Sequence, residues 1–265
     1  MLEEQEKLNF VSIATNNYLD FWKKQAQSID DHLTSGTTCT LYLFTDQSSA
    51  AQEFAQSLVR VKVKIVSIPS YGWPEATLFR YKLISEHAHF WNPKETLVYL
   101  DADMLVVDTL EKKNFAGKDS SGVTLILHPG FFRPSGMARV VFYLRNFEFA
   151  LRDLFSMIVY GGLGTWETRR RSLAFVRRRF RKEYYCGGIW WGPAGEITQL
   201  SQTLDSRIDK DLARGVIAVW HDESHLNWWA QKNDHLSASP EYCHSDQFPA
   251  LKAIPPKVVA VTKRT

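Results

Sequence analysis

Cysteine is scarce in this sequence: three among 265 residues, Cys39, Cys186 and Cys243, an odd count without Cys-x-x-Cys spacing. That excludes a disulfide framework and a cysteine-only zinc site, and it points to a reducing compartment. No apolar run approaches the about 20 residues that a membrane-spanning helix needs, so a transmembrane protein is not expected. The opening Met1-Leu2-Glu3-Glu4-Gln5-Glu6-Lys7 is acidic where a signal peptide is basic and then apolar. Charge of one sign is not in great excess either, at +3 net. What remains, 45% hydrophobic and 23% charged residues, is an ordinary globular balance that excludes disorder, collagen and coiled coil. A soluble protein with a sizeable core is expected.

The charge is unevenly placed. Seven arginines and one lysine lie between Arg169 and Lys182, and without them the net charge would fall from +3 to −5. The chain therefore carries one basic patch. A polyanion-binding protein built on that run is a remote alternative, since such a patch gives salt-dependent phosphate binding. Only Phe175 and Phe180 supply aromatics within it, and the rest of the chain is acidic, so nucleic acid is not the expected partner.

Strand-like and helix-like runs alternate along the first half. Phe10 to Ala14, Thr40 to Phe44 and Thr96 to Leu100 read as buried strands, and Val61-Lys62-Val63-Lys64-Ile65 alternates as a half-buried or edge strand does. Leu19, Trp22, Ala26 and Ile29 recur at helical spacing, and Glu75 to His89 also reads as helix. Gly122 to Leu127 and Val216 to Trp220 supply further strands. The alternation predicts an α/β sheet flanked by helices, with ligands at the carboxyl ends of strands.

Three segments could carry chemistry. Asp101-Ala102-Asp103 follows an apolar strand; residues two apart on extended backbone point the same way, and paired carboxylates suit a hard cation such as Mn²⁺ or Mg²⁺. The other reading is a solvated pair closing a strand. Trp220-His221-Asp222-Glu223-Ser224-His225 reads as a second strand ending. His221 and His225 invite a zinc reading, but Asp222 stands where a zincin has glutamate. Glu223 is the better candidate, as a nucleophile or a stabiliser of positive charge at a reacting carbon. A structural capping network is its alternative. Tyr184-Tyr185-Cys186-Gly187-Gly188-Ile189-Trp190-Trp191-Gly192 mixes glycines, which admit a ligand to the backbone, with aromatics that stack on sugars. Cys186 has no base beside it and reads as a buried small residue.

Together these blocks resemble glycosyltransferase family 6, the family of the ABO blood-group transferases and α-1,3-galactosyltransferase. The resemblance rests on Phe44-Thr45-Asp46-Gln47, Asp101-Ala102-Asp103-Met104, His128-Pro129-Gly130-Phe131, Tyr184-Tyr185-Cys186-Gly187-Gly188, Trp220-His221-Asp222-Glu223-Ser224-His225-Leu226-Asn227 and Ser239-Pro240-Glu241-Tyr242. It implies a GT-A fold, a Rossmann-like nucleotide-binding mixed sheet flanked by helices. It also implies retaining transfer of GalNAc or Gal from a UDP-sugar to a galactose-containing oligosaccharide or glycolipid in α-1,3 linkage. A single domain over 1–265 is expected, with about 8–105 binding UDP-sugar and 106–265 serving the acceptor and catalysis.

Residue by residue, the resemblance implies a donor site of Ile13, Ala14, Thr15, Tyr18 (on uracil), Arg80, Asp101, Ala102, Asp103, Gly187, Gly188, His221, Asp222 and Lys263. Asp101 and Asp103 match ligands of Mn²⁺, with Mg²⁺ as the alternative ion, and Lys263 matches a lysine that closes over the phosphates. His128, Gly130, Cys186, Trp220 and Glu223 match acceptor positions, and Glu223 is the catalytic carboxylate. Glycine at 130 and 188 accompanies UDP-GalNAc in the family, where bulkier residues accompany UDP-Gal. Ile13 replaces a family phenylalanine, and Ser245 stands where an acidic residue is usual. Animal members carry an anchor and stem not seen here, so a cytoplasmic enzyme of bacterial or phage type is expected. The stretch at about 134–166 is longer than the family loop, and the arginine run follows it. It reads either as an amphipathic element that brings the 134–182 region to an anionic inner-membrane surface, or as a helical hairpin packed on the domain or on a second copy.

Overall fold

The structure, a computed structural model, describes residues 7–115 and 122–261. The chain opens with β1 (Lys7–Ile13), α1 (Tyr18–His32), β2 (Thr38–Thr45), α2 (Ser48–Ala55) and β3 (Val61–Ser67). Next come α3 (Glu75–Leu78), α4 (Arg80–Glu86), β4 (Thr96–Leu100), β5 (Met104–Val106) and α5 (Lys112–Phe115). β6 (Thr124–Leu127), α6 (Gly136–Arg145), α7 (Phe147–Val159), β7 (Tyr185–Pro193) and α8 (Ala194–Leu212) follow. α9 (His221–Ala230), β8 (Leu236–Ala238) and β9 (Val258–Ala260) complete it.

Seven strands form one mixed sheet in the order β3-β2-β1-β4-β7-β6-β8, and β5 pairs with β9 beside it. The α/β expectation holds, with β1, β2, β3 and β4 parallel. β4 is apolar after Thr96 and buried along its whole length, as a central strand covered on both faces must be. β3 alternates in sequence and lies at the sheet edge, as its pattern predicts. α1 buries Leu19, Trp22, Ala26 and Ile29 on one face of the sheet. On the other face α4, α8 and α9 bring Tyr81, Ile84, Ile197, Leu200, Leu204, Leu226 and Trp229 against the strands.

β7 runs antiparallel to β4, with Tyr99 opposite Trp190 and Leu100 opposite Ile189. That pairing delivers Gly187 and Gly188 beside the carboxyl end of β4, where the Asp101 amide donates to the Gly188 carbonyl at 2.8 Å.

Two expectations need correction. Val216 to Trp220 is not a strand. Its alternation, Val216 and Ala218 buried with Ile217 and Val219 exposed, belongs to a strap tied down by side chains. The Val219 amide donates to Glu167 at 2.9 Å and Arg169 donates to the Ile217 carbonyl at 2.7 Å. Consequently Asp222 and Glu223 stand in the first turn of α9 rather than at a strand end, where acidic side chains suit the helix dipole. The helical stretch from Glu75 is also broken, at Phe79, into α3 and α4.

Candidate active site

The carboxyl ends of β1 and β4 and the loop after β3 enclose a cavity of ≈ 240 Å³. Ile13, Thr15, Tyr18, Arg80, Asp101, Ala102 and Asp103 all line it, so one pocket gathers seven positions that the sequence placed on the donor. Ala14 is fully buried beneath it. Tyr71, Trp73 and Thr77 also line it and were not foreseen. Their signal was a Tyr-Gly-Trp-Pro turn directly after an edge strand, which only the sheet order brings over the pocket. Trp73 is 77% exposed and meets the His221 ring edge-on at 4.7 Å. His221 itself has φ +44, a left-handed conformation uncommon for a residue with a side chain, at the junction of strap and helix.

Arg80 is the hinge of the charge arrangement. It is 4% exposed, lies 3.3 Å from Asp101 and 3.2 Å from Asp222, and donates to the Gly187 carbonyl at 2.7 Å. Burial opposes its charge, but Asp101 and Asp222 outweigh that and hold it firmly protonated. Asp101 also accepts from the Tyr99 hydroxyl at 2.8 Å. Gln25, another residue missed in the sequence, clamps the turn that follows β4: its amide donates to the carbonyls of Asp101 at 2.6 Å and Met104 at 3.2 Å.

Across the glycine pair stands Glu223. Its two carboxylate oxygens accept from the Tyr184 hydroxyl at 2.9 Å and the Gly187 amide at 2.8 Å, which fixes its rotamer. Burial pushes its pKa to about 7 despite those two donors, and pushes Asp222 to about 7 despite Arg80. Asp222 Oδ2 sits within ion-pair distance of Arg80 but makes no aligned hydrogen bond. The glycines are required by space. A Cβ on Gly188 would lie 3.0 Å from Asp101 Oδ2 and 3.2 Å from the Met104 sulfur, and one on Gly187 would lie 3.2 Å from Glu223 Cβ.

A second cleft, of ≈ 420 Å³, opens beyond Tyr184 and is lined by His128, Phe131, Arg133, Arg181 and Glu183 among others. Burial lowers the His128 pKa to about 4, so the ring is neutral, with Nδ1 accepting from the Gly130 amide at 3.0 Å. Trp220 is half exposed at the start of α9. Cys186, expected among acceptor positions, is instead buried in the core with Cys243. The two histidines of α9 have different partners: His225 is buried beside Asp211 at 3.6 Å, and His221 meets Trp73. Lys263 lies outside the described residues.

Paired aspartates lining a cavity beyond a central strand, with a clamped buried carboxylate on the adjoining glycines, fit a site for group transfer. The comparisons agree with that class. The sequence matches the family model "Glycosyltransferase family 6" over residues 4–145 and 161–265, and the chain belongs to that family. It is 28% identical over 278 residues to the histo-blood group ABO system transferase 1 of Rattus norvegicus, covering 99% of this chain and 70% of that protein. It is 27% identical over 251 residues to the globoside α-1,3-N-acetylgalactosaminyltransferase 1 of Homo sapiens, covering 91% of this chain but only 62% of that one. The Escherichia coli O-antigen biosynthesis glycosyltransferase WbnI is 22% identical over 241 residues, covering 91% and 89%. The chain is thus a hexosyltransferase of family 6 with the family's α/β sheet.

Proposed function

We propose that this enzyme transfers N-acetylgalactosamine from UDP-GalNAc to a galactose-containing glycan, in α-1,3 linkage and with retention, UDP-Gal being the alternative donor. One observation supports it above the rest: Asp101 packs against Gly188 and Glu223 against the adjacent Gly187, so the cavity carboxylate and the clamped buried carboxylate stand on neighbouring residues of one strand. We assign the donor half to about 8–105 and the acceptor half to 106–265, with His128, Gly130 and Trp220 toward the acceptor, His128 lining the ≈ 420 Å³ cleft.

In this reading Tyr18 and Trp73 hold the base in the ≈ 240 Å³ cavity, and Arg80 fixes Asp101 from below. Asp101 and Asp103 would hold Mn²⁺ or Mg²⁺, which when bound neutralises the charge of the departing diphosphate. Both carboxylates line the cavity, and their oxygens are the donors such a hard ion takes, its remaining ligands being substrate and water. Glu223, ionised, faces the anomeric carbon from the side opposite the leaving group and stabilises its developing positive charge. The Gly187 amide and Tyr184 hydroxyl hold that carboxylate in place. Three buried free cysteines, at 39, 186 and 243, support a cytoplasmic setting.

The test is UDP release by the purified protein from UDP-GalNAc and UDP-Gal in parallel, each with Mn²⁺ and with EDTA. Mn²⁺-dependent release that favours UDP-GalNAc is expected. Release undiminished by EDTA would overturn the role given to Asp101 and Asp103, and preference for UDP-Gal would overturn the donor choice.

A further inference from the structure

α6 and α7 are amphipathic with the wrong face outward. Met137, Val140, Val141 and Leu144 recur at i, i+3, i+4 and i+7 on α6, and all four are exposed, Leu144 to 79%. On α7, Phe147, Leu151, Leu154, Phe155 and Ile158 form the matching stripe, and all are at least half exposed. The inward side of α7 is polar instead. Buried Asp153 accepts both arms of Arg133 at 2.6 and 2.7 Å and the Tyr143 hydroxyl at 2.8 Å. Buried Ser156 donates to the Gly162 carbonyl at 2.7 Å. The pair is therefore anchored by charge and hydrogen bonds while nine large apolar side chains face solvent, an expanse that monomeric soluble proteins rarely leave open. The family model passes over 146–160, which contains all of α7.

What covers this face is indicated by its rim. The arginine run packs against the carboxyl end of α7: Arg178 donates to the Met157 carbonyl at 2.8 Å and Arg181 to the Tyr160 carbonyl. Arg170, Arg177 and Arg179 remain exposed and share a surface cleft with Val159 at the end of α7, and Arg171 is exposed as well. A second copy seated symmetrically on the same face would bring two such runs together, at an electrostatic cost. An anionic lipid surface instead takes the apolar stripe into its acyl boundary and the guanidinium groups against its phosphates. Met157, Arg181 and Lys182 also line the ≈ 420 Å³ cleft that holds His128 and Tyr184, so the docking face and the acceptor cleft are continuous.

We infer that α6, α7 and the 169–182 arginine run form a docking surface for an anionic bilayer, which sets the acceptor cleft at the lipid surface. The acceptor that fits is then a glycan carried on a membrane lipid; this last clause rests on the transferase reading above, whereas the docking does not.

The experiment is co-sedimentation of the whole protein with vesicles of phosphatidylglycerol and phosphatidylcholine, and with phosphatidylcholine alone, at low and high salt. Binding to the anionic vesicles, weakened by salt, is expected. The combined exposed changes Leu144→Ser, Leu151→Ser and Phe155→Ser should weaken it about a hundredfold, as should Arg170→Gln, Arg171→Gln and Arg179→Gln together. UDP release in solution by both combined variants should match the parent, which shows that they fold. No binding to anionic vesicles, or equal binding by the variants, overturns the inference. So does a salt-resistant dimer by sedimentation velocity that the apolar changes abolish. Vesicle binding without any UDP release would leave the docking standing and sink the transferase reading instead.

Discussion

α7 and α8 are both amphipathic helices, and they face opposite ways. α8 buries Ile197, Leu200, Leu204 and Ile208 against the sheet and turns Glu196, Asp209 and Lys210 out. α7 buries Asp153 and Ser156 and turns its phenylalanines and leucines out. The stripe on a helix tells that it has two faces; which face goes inward depends on what waits inside. For α8 that is the apolar surface of the sheet. For α7 it is Arg133, itself buried and needing a carboxylate more than a leucine. The two regions differ accordingly in what holds them and in what breaks them.

The sharpest separation is catalytic. Glu223→Gln should lower transfer by about 10³-fold, a loss of charge stabilisation at the reacting carbon, with UDP binding retained. Vesicle binding should not change at all. If it did, the body and the α6–α7 pair would be coupled in a way the contacts do not show.

Next is the polar anchor. Asp153→Ala leaves Arg133 buried without its partner and should cost about 3–5 kcal/mol. Because that anchor lies under α6 and α7, the loss should appear as fast hydrogen exchange in those two helices, with exchange in β1 and β4 unaltered. Uniform deprotection would show that the pair is an integral part of the sheet body.

The packing comparison is more direct still. Leu200→Ala on α8 should destabilise by about 2–5 kcal/mol, as a core cavity does, while Leu151→Ala on α7 should stay within about 0.5 kcal/mol. Chemical denaturation of the two variants side by side reads the difference. Equal effects would mean that α7 is covered in solution.

The smallest effect is one of pH. Glu223 titrates near 7 in the fold against an ordinary 4.5, so its buried charge costs nothing below 4.5. The cost then grows as pH rises from 4.5 to 7 and is constant above. Glu223→Gln removes it, and its melting temperature should exceed the parent's by a few degrees above pH 7 and converge below pH 4.5. Turnover by the parent runs the other way, rising through pH 7 as the carboxylate ionises. A parent melting temperature that rose with pH over that window would contradict the burial assigned to Glu223.

Much of this was legible along the chain. The apolar run of β4, the alternation of β3 and the helical spacing of α1 determine their own elements, because burial on two faces, one face or a stripe leaves a period in the residues. Asp101 and Asp103 could be read as a pair from their spacing on extended backbone, with a solvated strand ending as the other reading until the resemblance favoured the ion. Other features were beyond that reach. The alternation of Val216 to Val219 looked like a strand because period two records burial, and a strap pinned by Glu167 buries every second side chain equally well. Gln25 carries no local mark of function, and the turn that holds Trp73 does not say what it covers; the sheet order puts Trp73 at the ≈ 240 Å³ cavity and Gln25 beneath the Asp101 turn. Glu223 and Arg80 are 143 positions apart from one another's view in the chain. Only the tertiary seating of β7 brings them both to Gly187, because pKa and reach are properties of distance, which a sequence does not contain.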